Sequence, residues 1–110
     1  MKAPRKRELI VFVTTSSKRE AKAIGATLVG ERLAACATVV GVVESIYRWQ
    51  GTVHRGREAM MIIKTTEARY ARLEARIRAL HSYEVPEIIG FPLTHGSLAY
   101  LQWVRTETGK

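Results

Sequence analysis

Cys36-Ala37-Thr38-Val39-Val40-Gly41-Val42-Val43-Glu44-Ser45-Ile46-Tyr47-Arg48-Trp49-Gln50-Gly51 is the stretch that decides the fold. Val39 to Val43 is β-branched apart from Gly41, which suggests a bulge or bend within a strand. Beyond it the side chains alternate, with Val43, Ser45, Tyr47 and Trp49 on one face and Glu44, Ile46 and Arg48 on the other. Gln50-Gly51 supplies a turn, and a second strand follows, ending in Ala59-Met60-Met61-Ile62-Ile63. Cys36–Trp49 is about 14 residues, or roughly 46 Å if unbroken. A compact chain of this length is only about 30–35 Å across. The hairpin should therefore overhang its own domain, and a long unpaired edge is an aggregation hazard unless another chain pairs with it.

Outward from the hairpin the period of the apolar residues changes twice. Upstream, Glu8–Thr14 is a run of branched and aromatic residues that reads as a buried strand. Thr15, Ser16 and Ser17 offer helix N-caps, and Ser17 with Glu20 has capping-box spacing. Ala21, Ile24, Leu28 and then Leu33 keep roughly helical spacing. Gly25 and Gly30 weaken that helix or permit close packing on a sheet. Downstream, Glu67–Leu80 is the clearest helix, with Tyr70, Leu73, Ile77 and Leu80 as its apolar stripe. Val85–Leu93 reads as the last strand and Ser97–Thr106 as a short closing helix.

The order strand, helix, strand, strand, helix, strand, helix is that of an α+β, ferredoxin-like fold. It is a doubled βαβ sandwich with a four-stranded antiparallel sheet, a long hairpin and a short C-terminal helix. Right-handed crossovers put both long helices on one face and leave the other bare, although the strands are apolar on both faces. Self-association with cyclic symmetry is the expected solution. Residues 1–7, with Lys2, Arg5, Lys6 and Arg7, are expected to be a basic flexible tail, and residues 8–110 a single domain.

Bulk properties narrow the function. An apolar content of 46% argues for a globular chain. No apolar run approaches the roughly 20 residues needed to span a bilayer, and no signal peptide is read, so a cytoplasmic protein is expected. The single cysteine, Cys36, excludes a disulfide framework and a multi-cysteine zinc site within one chain. The net charge of +8 is spread over the tail, one helix and the hairpin flanks, and no nucleic-acid-binding motif accompanies it. There is no aspartate, no Ser/His/Asp set and no phosphate-binding glycine motif, so no enzyme is expected.

The chemistry concentrates in His81-Ser82-Tyr83-Glu84-Val85-Pro86-Glu87, which holds a histidine, a tyrosine and two glutamates. His81 is either an imidazole ligand for Cu²⁺ or another divalent cation, or a histidine capping the end of a helix. Lys64, at the sheet edge, is either half of an ion pair with Glu84 or Glu87 of another subunit, or an anion site. Tyr47 and Trp49 either anchor an interface or stack on a ligand. Cys36 is either a buried apolar group or a soft ligand.

Several segments resemble those of the CutA divalent-cation-tolerance family. Glu31-Arg32-Leu33-Ala34-Ala35-Cys36, Ser45-Ile46-Tyr47-Arg48-Trp49-Gln50-Gly51, Ile63-Lys64-Thr65, His81 to Pro92, and Gly96 with Tyr100-Leu101-Gln102-Trp103 are similar to its motifs, in its order. The resemblance implies a ferredoxin-like homotrimer with hairpins paired across subunits, a link to divalent-metal tolerance, and copper binding as in some members. It directs attention to inter-subunit clefts lined by Lys64, His81, Tyr83, Glu84 and Glu87, with Tyr47 and Trp49 from a hairpin; no cofactor is required for folding. This sequence departs from the family pattern at Ser82, usually proline, at Gly41-Val42, often Pro-Gly, and at Val13, where some members carry a cysteine proposed as a metal ligand. The trimeric ferredoxin-like architecture is also similar to that of the nitrogen-regulatory PII proteins, which implies an alternative: a signalling trimer binding a nucleotide or small anion between subunits.

Overall fold

The computed structural model describes residues 7–109. The elements run β1 (Glu8–Thr15), α1 (Lys18–Gly30), β2 (Cys36–Trp49), β3 (Thr52–Thr66), α2 (Glu67–Leu80), β4 (Ile88–Pro92) and α3 (Leu98–Thr108). The strands form one sheet in the order β2-β3-β1-β4, and every neighbouring pair is antiparallel. This is the ferredoxin-like arrangement expected from the order of elements. Of the segment expected to be a basic tail, all but Arg7 lies outside the described residues; the Arg7 carbonyl accepts the Glu67 N–H at 2.8 Å.

The core lies between the sheet and α1 and α2. Leu9, Val11 and Val13 of β1 alternate inward, face Thr65, Ile63 and Met61 of β3, and are buried with Ile24, Leu28, Leu73 and Ile77 of the two helices. Helix α1 begins at Ser17, whose hydroxyl accepts the Glu20 N–H at 3.1 Å. The capping box is incomplete, because the Glu20 carboxylate binds the N–H and hydroxyl of Ser16 instead of the Ser17 N–H. The helix ends in a Schellman turn: Leu33 N–H reaches the Leu28 carbonyl at 2.9 Å, and Arg32 N–H reaches that of Val29 at 3.1 Å. Arg32 takes the left-handed position, with φ 60, where glycine is usual. The strain, on the order of 1–2 kcal/mol, is offset by its guanidinium, which donates to the carbonyls of Thr106 and Gly109 at the end of α3. Leu33, spaced as if helical, thus packs from the turn beyond the helix.

The hairpin is as expected. Gly41 sits at the register shift between Val40 and Val42, and Trp49 pairs with Thr52 across a two-residue turn. Gln50 and Gly51 both have positive φ, 51 and 79, which is the left-handed geometry of a tight hairpin turn. The molecule measures 46 × 31 × 25 Å, its long axis stretched by these strands.

Two expectations change. The last strand is shorter than Val85–Leu93, because the chain from His81 to Glu87 is held as a loop and Val85 stands 65% exposed. The sheet face opposite the helices is not wholly bare. Helix α3 covers one end of it, with Val104 and Thr108 buried, Arg105 bound to Glu8, and Tyr100 beside Cys36. Away from α3 the face remains open: Phe12 meets Phe91 edge-on at 5.4 Å, and Phe91 is 44% exposed. On the hairpin Val42, Ile46, Trp49 and Val53 are exposed as well.

The two glycines of α1 should respond oppositely to substitution. A Cβ on Gly25 would lie 3.1 Å from that of Ala37 on β2, whereas one on Gly30 meets nothing. Gly25→Val is expected to cost about 1–3 kcal/mol by overpacking, and Gly30→Ala to gain about 0.4–1 kcal/mol. Thermal denaturation of both variants checks the pair.

Candidate functional site

The loop from His81 to Glu87 is the part of the chain that crosses from α2 to β4, and three side chains fix it. His81 ends α2, with its N–H on the Ile77 carbonyl at 2.9 Å. Its buried ring lies between strand and loop: Nε2 is 2.7 Å from the Thr14 carbonyl, and Nδ1 accepts the Tyr83 N–H at 3.1 Å. A carbonyl only accepts, so the ring is the Nε2–H tautomer and both nitrogens are engaged. Glu20 supplies the second tie, its carboxylate accepting the N–H and hydroxyl of Ser82 at 2.7 and 3.0 Å. Tyr83 supplies the third, donating its hydroxyl to Glu58 on β3 at 2.7 Å. Ser82, in the place of a proline, is therefore used: its N–H and hydroxyl both serve Glu20.

These ties shape a cleft of about 580 Å³ where the hairpin leaves the sheet. Tyr47, Trp49, Ile46 and Ser45 of β2 line one side, Tyr83, Glu84, Val85 and Glu87 of the loop another, and Glu58 with Thr14 the floor. The lining includes three carboxylates and no lysine, arginine or histidine, although the whole chain is strongly basic. Burial, and then the bond to Glu58, pushes the Tyr83 phenol well above its ordinary range, so its proton stays on.

Of the candidate residues, Tyr47, Trp49, Tyr83, Glu84 and Glu87 come together in this cleft. Lys64 does not line it. It lies on β3 opposite Ile10 and Cys36, near the α3 end of the sheet. His81 supports the cleft from behind through Tyr83. As the cap of α2 it acts through its backbone N–H, and its ring binds Thr14 of β1, not the carbonyls of its own helix. To ligate a metal it would have to give up one of its two ring bonds. Cys36 is half-buried, its sulfur 3.7 Å from the Tyr100 hydroxyl. Val13 is fully buried beneath the helices. Glu58 and Glu20 were missed in the sequence. Alternation from buried Ala59 puts Glu58 on the open face with Met60, which would have placed it beside the hairpin's aromatic residues. Among the described residues no three His, Cys or acidic side chains gather closely enough to hold a metal ion.

The Glu20 tie is sensitive to acid. Burial pushes its carboxyl up, but the hydrogen bonds from Ser16 and Ser82 together outweigh it and hold the group at about 2, below the ordinary 4.5. A depressed carboxyl stabilises the fold fully above its unfolded value, and that contribution is lost as pH falls from about 4.5 towards 2. Glu20→Gln should therefore be less stable than the parent at neutral pH and lose less on acidification through that window. Melting temperatures of both proteins between pH 7 and pH 2 check it; parallel curves would show that Glu20 carries no such linkage.

Comparison with known proteins agrees with this architecture. The family model described as CutA1 divalent ion tolerance protein matches residues 9–107. The divalent-cation tolerance protein CutA of Thermus thermophilus is 44% identical over 102 residues, covering 93% of this chain and 99% of that protein. Its solved structure superposes with a TM-score of 0.90 at the same coverage of both chains. The rice protein CutA 1, chloroplastic, is 38% identical over 91% of this chain, which spans 56% of that relative's length. A structure described as the periplasmic divalent cation tolerance protein CutA from Archaeoglobus fulgidus is 28% identical, with a TM-score of 0.90 over 93% of this chain and 99% of that one. With a family match over nearly its whole length and this extent of sequence and fold shared with these relatives, the chain belongs to the CutA1 divalent ion tolerance protein family.

Proposed function

We propose that the protein is a non-enzymatic homotrimer acting in divalent-cation tolerance, copper included, and that the cleft at the root of its hairpin binds cations. The observation that carries this reading is the lining of that cleft, where Glu58, Glu84 and Glu87 stand without a positive side chain among them. A concave site with one sign of charge concentrates ions of the other. The same charge weighs against the nucleotide or small anion of a signalling trimer.

The trimer is supported by what a single chain leaves open. Ile46 is 66% exposed and Trp49 39% exposed on strands that run past the helices, and Ile89 and Phe91 are exposed on the edge strand β4. Tyr47 and Trp49 would then serve both the interface and the cleft wall. The metal role moves from His81 to the carboxylates, because the imidazole is committed to Thr14 and Tyr83. With no three ligands gathered among the described residues of one chain, a bound ion would draw on more than one subunit or on reoriented glutamates. Lys64, apart from the cleft, remains the candidate for an ion pair between subunits. A cytoplasmic setting belongs to the same proposal, and the free thiol of Cys36 suits a reducing compartment. Among the described residues no helix is long and apolar enough to cross a membrane.

Sedimentation should give a species near three times 12.4 kDa, and a stable monomer at micromolar concentration would contradict the assembly. Trp49→Ala should weaken that assembly, since truncating a buried aromatic commonly costs about 3–5 kcal/mol. Calorimetric titration with Cu²⁺ tests the site. Glu84→Gln/Glu87→Gln should weaken binding by about tenfold or more through lost charge. Unchanged binding in that variant, with loss in His81→Ala, would return the metal to His81.

A further inference from the structure

We infer that the cleft is shaped for a small organic diamine or polyamine in its ammonium form, held between the aromatic hairpin wall and the loop carboxylates. The inference rests on the cation-binding reading above and names the class of cation.

Size comes first. The cleft's volume of about 580 Å³ falls within the roughly 300–1,000 Å³ typical of small-molecule sites. A single metal ion needs only a tight shell of donors, and among the described residues no such shell is gathered. The three carboxylates do not close on a single point, and they come from two elements, Glu58 from the strand and Glu84 and Glu87 from the loop. Separated negative charges match a ligand with separated positive ones.

The walls have the matching chemistry. Tyr47, Trp49 and Tyr83 line the cleft, Tyr47 stacked on His54 at 5.5 Å and Tyr83 tilted against His81 at 4.7 Å. An aromatic ring attracts an ammonium group through its quadrupole and packs against a methylene chain. A primary ammonium has three N–H donors and no acceptor. Tyr83 commits its proton to Glu58 Oε2, so its oxygen offers only acceptor capacity to the cleft. Glu58 Oε1 has no hydrogen-bond partner among the described residues. The carboxylates and the Tyr83 oxygen thus seek donors, and the apolar surface between them suits a hydrocarbon spacer.

The test is calorimetric titration of the full chain with butane-1,4-diamine at neutral pH, with succinate, the dicarboxylate of equal length, as the opposite-charge probe. The diamine should bind and succinate should not. Glu84→Gln/Glu87→Gln, both at exposed positions, should weaken the diamine by about tenfold or more. Trp49→Phe should keep the affinity, and Trp49→Leu should lower it by about two- to fivefold. Because Trp49 also serves the interface, sedimentation first checks that both Trp49 variants assemble as the parent does. Equal diamine affinity in the assembled Phe and Leu variants overturns the inference. If the Leu variant or the double variant does not assemble, the diamine must still outbind succinate on the parent or the inference falls. Carboxylate-dependent Cu²⁺ binding without diamine binding would overturn the inference and leave the cation site standing. Failure of both ligands would overturn both, and succinate binding as tightly as the diamine would reverse the sign of the site.

Discussion

A helix of 13 residues is about 20 Å long, whereas a strand of 14 spans about 46 Å, and the two lie in adjacent layers here. Most of what is distinctive in the structure descends from that mismatch. Where α1 and α2 cover the sheet, alternate side chains are sealed and the core forms. Past the helix ends nothing among the described residues covers the hairpin, so its apolar residues are left exposed on the single chain. Helix α3 relieves only one end of the open face. Arg32 and Arg69 bind its terminal carbonyls and Arg105 grips Glu8, which anchors the helix there and keeps it from the rest.

The same mismatch creates the cleft. A hairpin that leaves the sheet makes a corner with whatever loop runs beneath it, and that loop is the one between α2 and β4. Its shape depends on polar ties in place of packing. His81 holds Tyr83 to the end of β1, Glu20 holds Ser82 to the start of α1, and Tyr83 holds Glu58. Apart from the bond within the loop between His81 and Tyr83, these bonds join elements far apart in sequence, so the shape of loop and cleft depends on the rest of the fold. The loop can therefore present Glu84 and Glu87 to the cleft with Tyr83 serving as both anchor and wall, while His81 and Glu20 do not line it.

How much was legible in the sequence follows from the range of the interactions. The hairpin, its bulge and its turn are local patterns, and Gly41 and Gln50-Gly51 mark them directly. Helix α2 is equally local: of its expected stripe Leu73 and Ile77 are buried and Tyr70 packs partly buried against the core, whereas Leu80, at the helix end, is exposed. The start of β4 was misplaced because Val85 and Pro86 look like strand, while the ties that hold them in a loop come from Glu20 and Thr14, more than sixty positions away. The place of α3 on the open face was hidden for the same reason, since its anchors at Glu8 and Arg32 are long-range. Of the site, the cluster at His81–Glu87 and the aromatic residues Tyr47 and Trp49 stood out by composition. The role of His81 did not, because the same residue serves as ligand or as brace depending on which groups surround its two nitrogens.

Hydrogen exchange along β2 tests the central claim most directly. β2 is an edge strand of the single-chain sheet, so its outward amides have no partner in one chain. If the overhanging hairpin is covered by neighbouring subunits, the outward amides between Val42 and Trp49 will exchange slowly, like those of β1. If they exchange as fast as the turn at Gln50-Gly51, the hairpin stands free in solution, and the account of the open face, the assembly and the completed cleft is wrong.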